Sequence, residues 1–300
     1  MNRNFNHIFI ISDIEGSSGC WSYEASSFMT KEWSRACIEM SRDINAVVRA
    51  LFDRGVKHIT VKDFHRTGYN LLPELIDPRA RLVPGYRQGG VPGIGDPGDT
   101  KTLIFIGMHA ASGSEGFLAH TLTSRIERLE VNGRLMSEVE LFSSALAPYG
   151  FRPIFFSGCP VACTQARNVI SGIDTYPIEK SSCFEKFNLD LWRDGLSRAV
   201  VESLNNLSTE SLSLVGPFSA VITMRDGEVA ARKIARRWGF NQRGGMIFLE
   251  SSDILNIYSD LIKMCYLTPL IEKILPFALL LYNIWGKIGL GWVRRQHKII

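Results

Sequence analysis

The stretch Ile8-Phe9-Ile10-Ile11-Ser12-Asp13-Ile14-Glu15-Gly16 decides how the chain is read. A short unbroken apolar run that stops at a turn signal is the pattern of a strand buried on both faces, as in a parallel sheet covered by helices. The expected strand is His7–Ser12, ending at Asp13, and Gly16 and Gly19 then break the pattern. In an extended chain residues i and i+2 point to the same side, so Asp13 and Glu15 can present both carboxylates to one point. An isolated Asp-x-Glu pair is more often a solvated strand end or a helix cap, so the neighbouring strands have to be weighed with it.

Working outward, Trp33, Cys37, Met40, Ile44, Val47, Val48 and Leu51 recur at helical spacing and predict a helix over Lys31–Arg54, with Gly55 as its C-cap. A second strand is expected over His58–Phe64. Gly and Pro crowd residues Pro84–Asp99, which read as a loop. A third buried strand runs over Thr102–Gly107, and Leu129–Leu135 reads as a hairpin turning at Asn132-Gly133. Helix begins near Ser137, and Pro153–Phe156 is a further short strand. Beyond it alternate a helix near Leu189–Leu204, a strand near Ala220–Met224, a helix near Glu228–Arg236, a strand near Gly245–Leu249 and a helix near Asp253–Met264. Such alternation is the mark of an α/β protein. The expected fold is therefore three-layer α/β with a mixed, largely parallel sheet, a smaller α/β portion and a C-terminal apolar helix. The expected division is a metal-binding domain over 1–150, a second portion over 151–267 that completes the site, and a tail over 268–300.

Composition narrows the class. With 300 residues, 45% hydrophobic and 21% charged, the chain can bury a sizeable core and is not a disordered protein. A net charge of +4, mixed along the chain, does not point to nucleic acid as a partner. The six cysteines (Cys20, Cys37, Cys159, Cys163, Cys183 and Cys265) read as reduced thiols, because Met1–His7 is polar and lacks the apolar core of a signal peptide. A cytoplasmic location follows as the expectation. In the tail, Ile274–Trp285 is nearly all apolar but too short for a membrane span, and Lys287 interrupts it. Two readings stay open there: a helix packed on the body or on another subunit, and a helix peripheral to a membrane surface, with Trp285, Trp292 and Arg294-Arg295 at the interface.

The chemistry lies in what ends the strands. His65 follows the second strand and His109 the third, as Asp13 and Glu15 follow the first. Each histidine alone is more often structural than a ligand, but only six occur in the chain and two end apolar strands in this way. If those strands are neighbours, two carboxylates and two imidazoles converge. Imidazole and carboxylate donors without thiolate suit a catalytic zinc, or manganese or cobalt, with positions left for water. A carboxylate such as Asp13 can bridge two metals about 3.5–4 Å apart and leave a water between them acidic enough to attack near neutral pH.

These residues resemble the zinc-dependent D-aminopeptidase family of the DppA type. Ser12-Asp13-Ile14-Glu15-Gly16-Ser17-Ser18-Gly19 is similar to its opening Asp-x-Glu-Gly-x-x-Gly, Val61-Lys62-Asp63-Phe64-His65 to its Asp-x-His, and Gly107-Met108-His109-Ala110 to its Gly-x-His-Ala. His120 falls at the spacing of its Ser-His element, and Asn132-Gly133-Arg134 with Ser137-Glu138 resembles its hairpin and Gly-Glu ligand. The resemblance covers roughly Ile8 to Leu267. It implies two zinc ions bridged by Asp13, with Glu15, His65, His109 and Glu138 completing their shells. It further implies His120 as the catalytic histidine, moving a proton or stabilising an oxyanion, Lys180 as a lysine near the substrate, and a ring-like homo-oligomer. One departure is Gly158-Cys159-Pro160, where the family carries Gly-Asp-Asp; an acid there can hold a substrate ammonium. Three functions compete on this basis. The first is an aminopeptidase releasing N-terminal D-amino acids from short peptides. The second is a related amide or ester hydrolase acting on a specialised small molecule. The third is a non-catalytic binding protein, against which the retention of every ligand type and of His120 argues.

Overall fold

The computed structural model describes residues 6–181, 184–206 and 208–298. The chain opens with β1 (His7–Ser12), α1 (Lys31–Asp53), β2 (His58–Asp63), a short β3 (Arg81–Val83) and β4 (Thr102–Met108). It continues through β5 (Ile126–Val131), β6 (Arg134–Leu135), α2 (Glu138–Leu146), β7 (Arg152–Gly158), α3 (Pro160–Val169), β8 (Asp174–Pro177) and α4 (Leu189–Ser203). Then come β9 (Phe218–Met224), α5 (Gly227–Trp238), β10 (Asn241–Arg243), β11 (Met246–Ser251), α6 (Ile254–Tyr266), α7 (Pro269–Lys273) and α8 (Leu275–His297).

The strands sort into two sheets. Six lie parallel in the order β3-β2-β1-β4-β7-β8, and five lie antiparallel in the order β10-β11-β9-β5-β6. The α/β expectation holds, with parallel and antiparallel pairing divided between the sheets. Alternation along β1 shows why the parallel sheet is buried on both sides. Ile8 and Ile10 join the cluster of Trp33, Val47 and Leu51 from α1 and Leu196 and Val200 from α4, whereas Phe9 and Ile11 join Phe142 of α2 and Ala162 of α3 on the opposite face. The expected boundary near residue 150 runs through both sheets. β4 pairs with β7, and β5 pairs with β9, so the later half of the chain completes both sheets as well as adding helices.

The tail docks on the body. Trp292 stacks on Trp33 of α1 at 6.1 Å, Leu290 and Val293 are buried in the α1 cluster, and Arg294 pairs with Glu74 through both carboxylate oxygens at 2.7 and 3.0 Å. Gly286 and Gly289 permit this approach, because a Cβ on either would run into Tyr69 or Phe28. The last two residues of the tail, 299 and 300, lie outside the described residues. Among the described residues no helix is long and apolar enough to cross a membrane. Cys20, Cys37, Cys159, Cys163 and Cys265 are unpaired, and Cys183 lies outside the described residues.

Candidate metal centre

Because β2, β1 and β4 are sheet neighbours, their carboxyl ends bring ligands together without any long-range loop. Ser12 is in register with Asp63 on one side and Ile106 on the other, so Asp13, His65 and His109 follow within a few residues of one line across the sheet. The main chains meet there. Asp13 donates its N–H to the Ile106 carbonyl at 2.9 Å, and Gly16 donates to the Gly107 carbonyl at 2.8 Å. Gly107 has φ +77°, a conformation that costs side-chain-bearing residues dearly, and a Cβ on it would collide with the Asp13 carbonyl. Gly16 and Gly158 are equally closed off, both by the Met108 carbonyl.

Glu138 enters from the first turn of α2 and His120 from the loop after β4. The Glu138 Oε1 accepts from the Leu122 N–H at 2.7 Å, and the His120 N–H donates to the Ala110 carbonyl at 3.0 Å, which ties that loop beside His109. Leu118 and Leu122 on either side of His120 have φ +47° and +61°, so this loop holds backbone strain where the chemistry is expected. The structure thus gathers Asp13, Glu15, His65, His109, His120 and Glu138 around one cavity of about 560 Å³. They fall into two groups whose ligand atoms lie within 4.8 Å of one another: Asp13, Glu15 and His65, and His109, His120 and Glu138.

The histidines show how a metal would sit. The outer nitrogen of each ring faces a main-chain carbonyl: His65 Nε2 lies 2.9 Å from Ser26 O, and His109 Nδ1 lies 3.1 Å from Ala110 O. A carbonyl only accepts, so each outer nitrogen carries a proton and the inner nitrogen points into the cluster. There His65 Nδ1 lies 3.1 Å from Asp13 Oδ1 and 3.0 Å from Glu15 Oε2, while His109 Nε2 lies 3.2 Å from Asp13 Oδ2 and 3.5 Å from Glu138 Oε2. Asp13 therefore turns one oxygen to each histidine. Lone pairs opposed at these distances need a cation between them, either a proton or a metal ion. Glu15 Oε2 and His109 Nε2 are buried without a hydrogen bond, and as a carboxylate oxygen and an imidazole nitrogen they are donors that fit a metal ion.

Electrostatics agree. Burial pulls the His65 pKa down, but the carboxylates of Glu15 and Asp13 outweigh it and carry the value up to about 10. His109 is likewise raised well above its usual value, with Glu138 and Asp13 overcoming the burial that opposes them. Asp13 goes the other way: burial would raise its pKa, and His109 and His65 hold it well below the carboxylate range. Without metal, both imidazoles keep a second proton in the place a metal would take, so metal uptake displaces protons. His120 is different. Burial and the neighbouring His109, stacked on it at 3.8 Å, both lower its pKa, leaving a neutral ring. Its Nδ1 lies 2.9 Å from the Leu118 carbonyl, so Nε2 is the nitrogen free to meet a substrate.

Lys180 does not line the cavity. Its ammonium donates to the carbonyls of Ser17 and Cys20 and lies 4.6 Å from the Trp21 ring, holding the loop that carries Glu15. On the other side of that loop Asp43 of α1 accepts from the Ser18 N–H at 2.8 Å and from its hydroxyl at 2.7 Å, and is itself paired with Arg193 of α4. Asp63 spends its carboxylate on main chain. It accepts from the main chain of Asn70 at 2.6 Å and of Leu71 at 3.2 Å, and the Asn70 side chain in turn holds the His65 carbonyl at 2.8 Å. Sequence reasoning missed Ser26, which acts through a main-chain oxygen and leaves no side-chain signal. It also missed Cys265, Tyr266 and Tyr282, which line the cavity from α6 and α8.

Comparison with known proteins agrees with this geometry. The solved structure of a Zn-dependent D-aminopeptidase, DppA from Bacillus subtilis, described as a self-compartmentalizing protease, superposes with a TM-score of 0.79 at 20% identity, covering 87% of this chain and 97% of that one. At that identity the likeness establishes the fold. A D-aminopeptidase of Bacillus subtilis (strain 168) is 22% identical over 176 residues, which are 58% of this chain and 64% of the relative's length, so the alignment spans less than two thirds of that protein. The profile of the D-aminopeptidase family matches residues 7–258, a span that takes in every ligand candidate and His120. With a profile match over most of its length and the same overall fold, the chain belongs to the D-aminopeptidase family.

Proposed function

We propose that this protein is a metal-dependent aminopeptidase that releases N-terminal D-amino acids from short peptides at a dinuclear zinc site. The observation that carries the reading is Asp13, whose two oxygens face two histidines that are each fixed from behind by a main-chain carbonyl. Asp13, Glu15 and His65 would hold one ion, and Asp13, His109 and Glu138 the other. Manganese or cobalt are the other ions that such donors take. Ions held in this way supply Lewis acidity and a water acidic enough to attack an amide. The chain's own residues do the rest. The buried ligands exclude bulk water from one side of the cavity, and His120 Nε2, kept neutral, accepts a proton during attack and returns it to the leaving amine. The relative described as self-compartmentalizing supports a homo-oligomeric assembly here too.

A second reading rests on Cys159. It is buried at the end of β7, where an acid would help to hold a substrate ammonium, and this favours a related amide or ester hydrolase acting on a specialised small molecule. One experiment separates the readings: metal content per chain, with hydrolysis of D- and L-aminoacyl amides, for the wild type, Asp13→Ala and His120→Ala. The aminopeptidase reading expects about two zinc ions per chain, lost in Asp13→Ala but kept in His120→Ala. It also expects D-selective hydrolysis that falls about 10²–10⁴-fold in His120→Ala. Metals retained with no aminopeptidase activity would move the assignment to other amides and esters. Folded protein that takes up no metal would end the hydrolase reading.

A further inference from the structure

A second cavity of about 250 Å³ adjoins the metal cavity and shares Phe64, Arg66, Tyr266 and Tyr282 with it. Phe64 and Arg66 flank His65 in sequence, so the two cavities meet at the segment that carries this candidate ligand. The outer wall is apolar and comes from the end of α6 and from the tail: Ile262, Leu267, Ile271, Leu275, Ala278 and Leu279. The polar groups around it are already satisfied. The Tyr266 hydroxyl donates to the Leu122 carbonyl at 2.6 Å and the Tyr282 hydroxyl to the Arg66 carbonyl at 3.1 Å. Lys62 Nζ donates to the carbonyls of Asp63 at 2.8 Å and Gly85 at 2.6 Å. Arg66 and Tyr86 add a polar margin, and most of the surface facing the cavity is ring and methylene.

We propose that this cavity is a specificity pocket for an apolar side chain or alkyl group of the substrate, attached close to the bond placed at the metals. Three observations bear on it. Whole small-molecule sites run from about 300 to 1,000 Å³. The metal cavity falls in that range and its neighbour below it, so the neighbour suits a substituent of a ligand whose reacting part lies next door. An apolar cavity of about 150 Å³ is enough to stay dry and bind a benzene ring, so this one takes a phenyl or branched alkyl body. Finally, this apolar wall lies beyond residue 258, where the family match stops, and the superposed structure covers 97% of its own chain but 87% of this one. The outer wall therefore lies outside the family match, beside a candidate metal set that the match contains. The proposal rests on the hydrolase reading.

The test is steady-state kinetics on the full-length, zinc-loaded protein with two substrate series. One is D-aminoacyl amides with Ala, Val, Leu and Phe side chains; the other is D-alanyl amides with n-alkyl groups from methyl to hexyl. In one series kcat/KM should climb about fourfold per added methylene, the equivalent of about 0.8 kcal/mol per buried CH₂, and then level off. Ala278→Phe, which fills the pocket, should collapse the ratio of large to small substrates, and Leu279→Ala, which enlarges it, should move the plateau to longer groups. Calorimetric titration with 4-phenylbutanamide should show binding with and without metal, lost in Ala278→Phe. Hydrolysis that proceeds without regard to apolar size in either series, with no binding of the amide, would overturn the pocket and leave the hydrolase reading intact. Absence of hydrolysis across both series would overturn the hydrolase reading and this assignment with it.

Discussion

Replacing Lys180 with methionine separates two jobs that this side chain could do. Burial pulls its pKa down to about 8, so keeping it charged at neutral pH costs the fold at most about 3 kcal/mol. Methionine removes that cost, keeps the aliphatic stem, and strips the donor from two carbonyls, Ser17 O and Cys20 O. Leaving each without a partner costs about 1–3 kcal/mol, so the opposing contributions nearly cancel and the net loss should not exceed about 3 kcal/mol. The effect on the metal centre should be larger in proportion. Glu15 lies two residues before Ser17, and the tether that fixes its loop from the segment after β8 is gone. Loss of a group supporting a ligand typically weakens metal binding about 10–100-fold. Competition with a chromogenic chelator reads this directly, alongside urea midpoints of the loaded protein and KM for a D-aminoacyl amide. Unchanged zinc affinity together with a KM raised tenfold would refute the reasoning and place the ammonium on the substrate.

Gly107→Ala should destabilise the protein by about 3 kcal/mol through the left-handed φ and the collision with the Asp13 carbonyl, lowering Tm by roughly 6–12 °C in a thermal melt. In zinc-loaded protein, stability should rise with pH between about 7 and 10.5. Burial lowers the folded pKa of Lys62 to about 7, so across that window the unfolded chain still holds a proton that the folded chain has released; urea midpoints for Lys62→Met should lose this slope. Gly286→Val should prise α8 from Tyr69, so that limited proteolysis removes the tail while metal content stays at the wild-type level.

Much of the site was legible because parallel strands deliver their ligands through local sequence. An apolar run, then Asp or His, is readable at Asp13, His65 and His109 without knowing any long-range pairing, since the three strands are adjacent in the sheet. Glu138 and His120 came only through the family resemblance, because a helix start and an irregular loop carry no such pattern. The separation into two sheets was not legible. Whether Ile126 pairs with Met224, some hundred residues away, is decided by tertiary packing, and alternating strand and helix signals look the same in either arrangement. Short pieces were also missed: β3 has three residues and β8 four, too few to establish a period. The loop expected over Pro84–Asp99 has no helix or strand ladder, only isolated bridges such as Arg87 with Gly93. The contacts of Lys180 are not legible at all, because the carbonyls it donates to lie more than 150 residues away.

The glycines at the strand ends also set what kind of ligand the protein is. Gly16, Gly107 and Gly158 let three main chains lie in contact, and the groups that would otherwise be free to swing are fixed to backbone. Toward a metal ion such a framework would resemble a macrocycle more than an open-chain chelator: with its donors held by main-chain contacts, little ordering entropy would be left to be lost on capture.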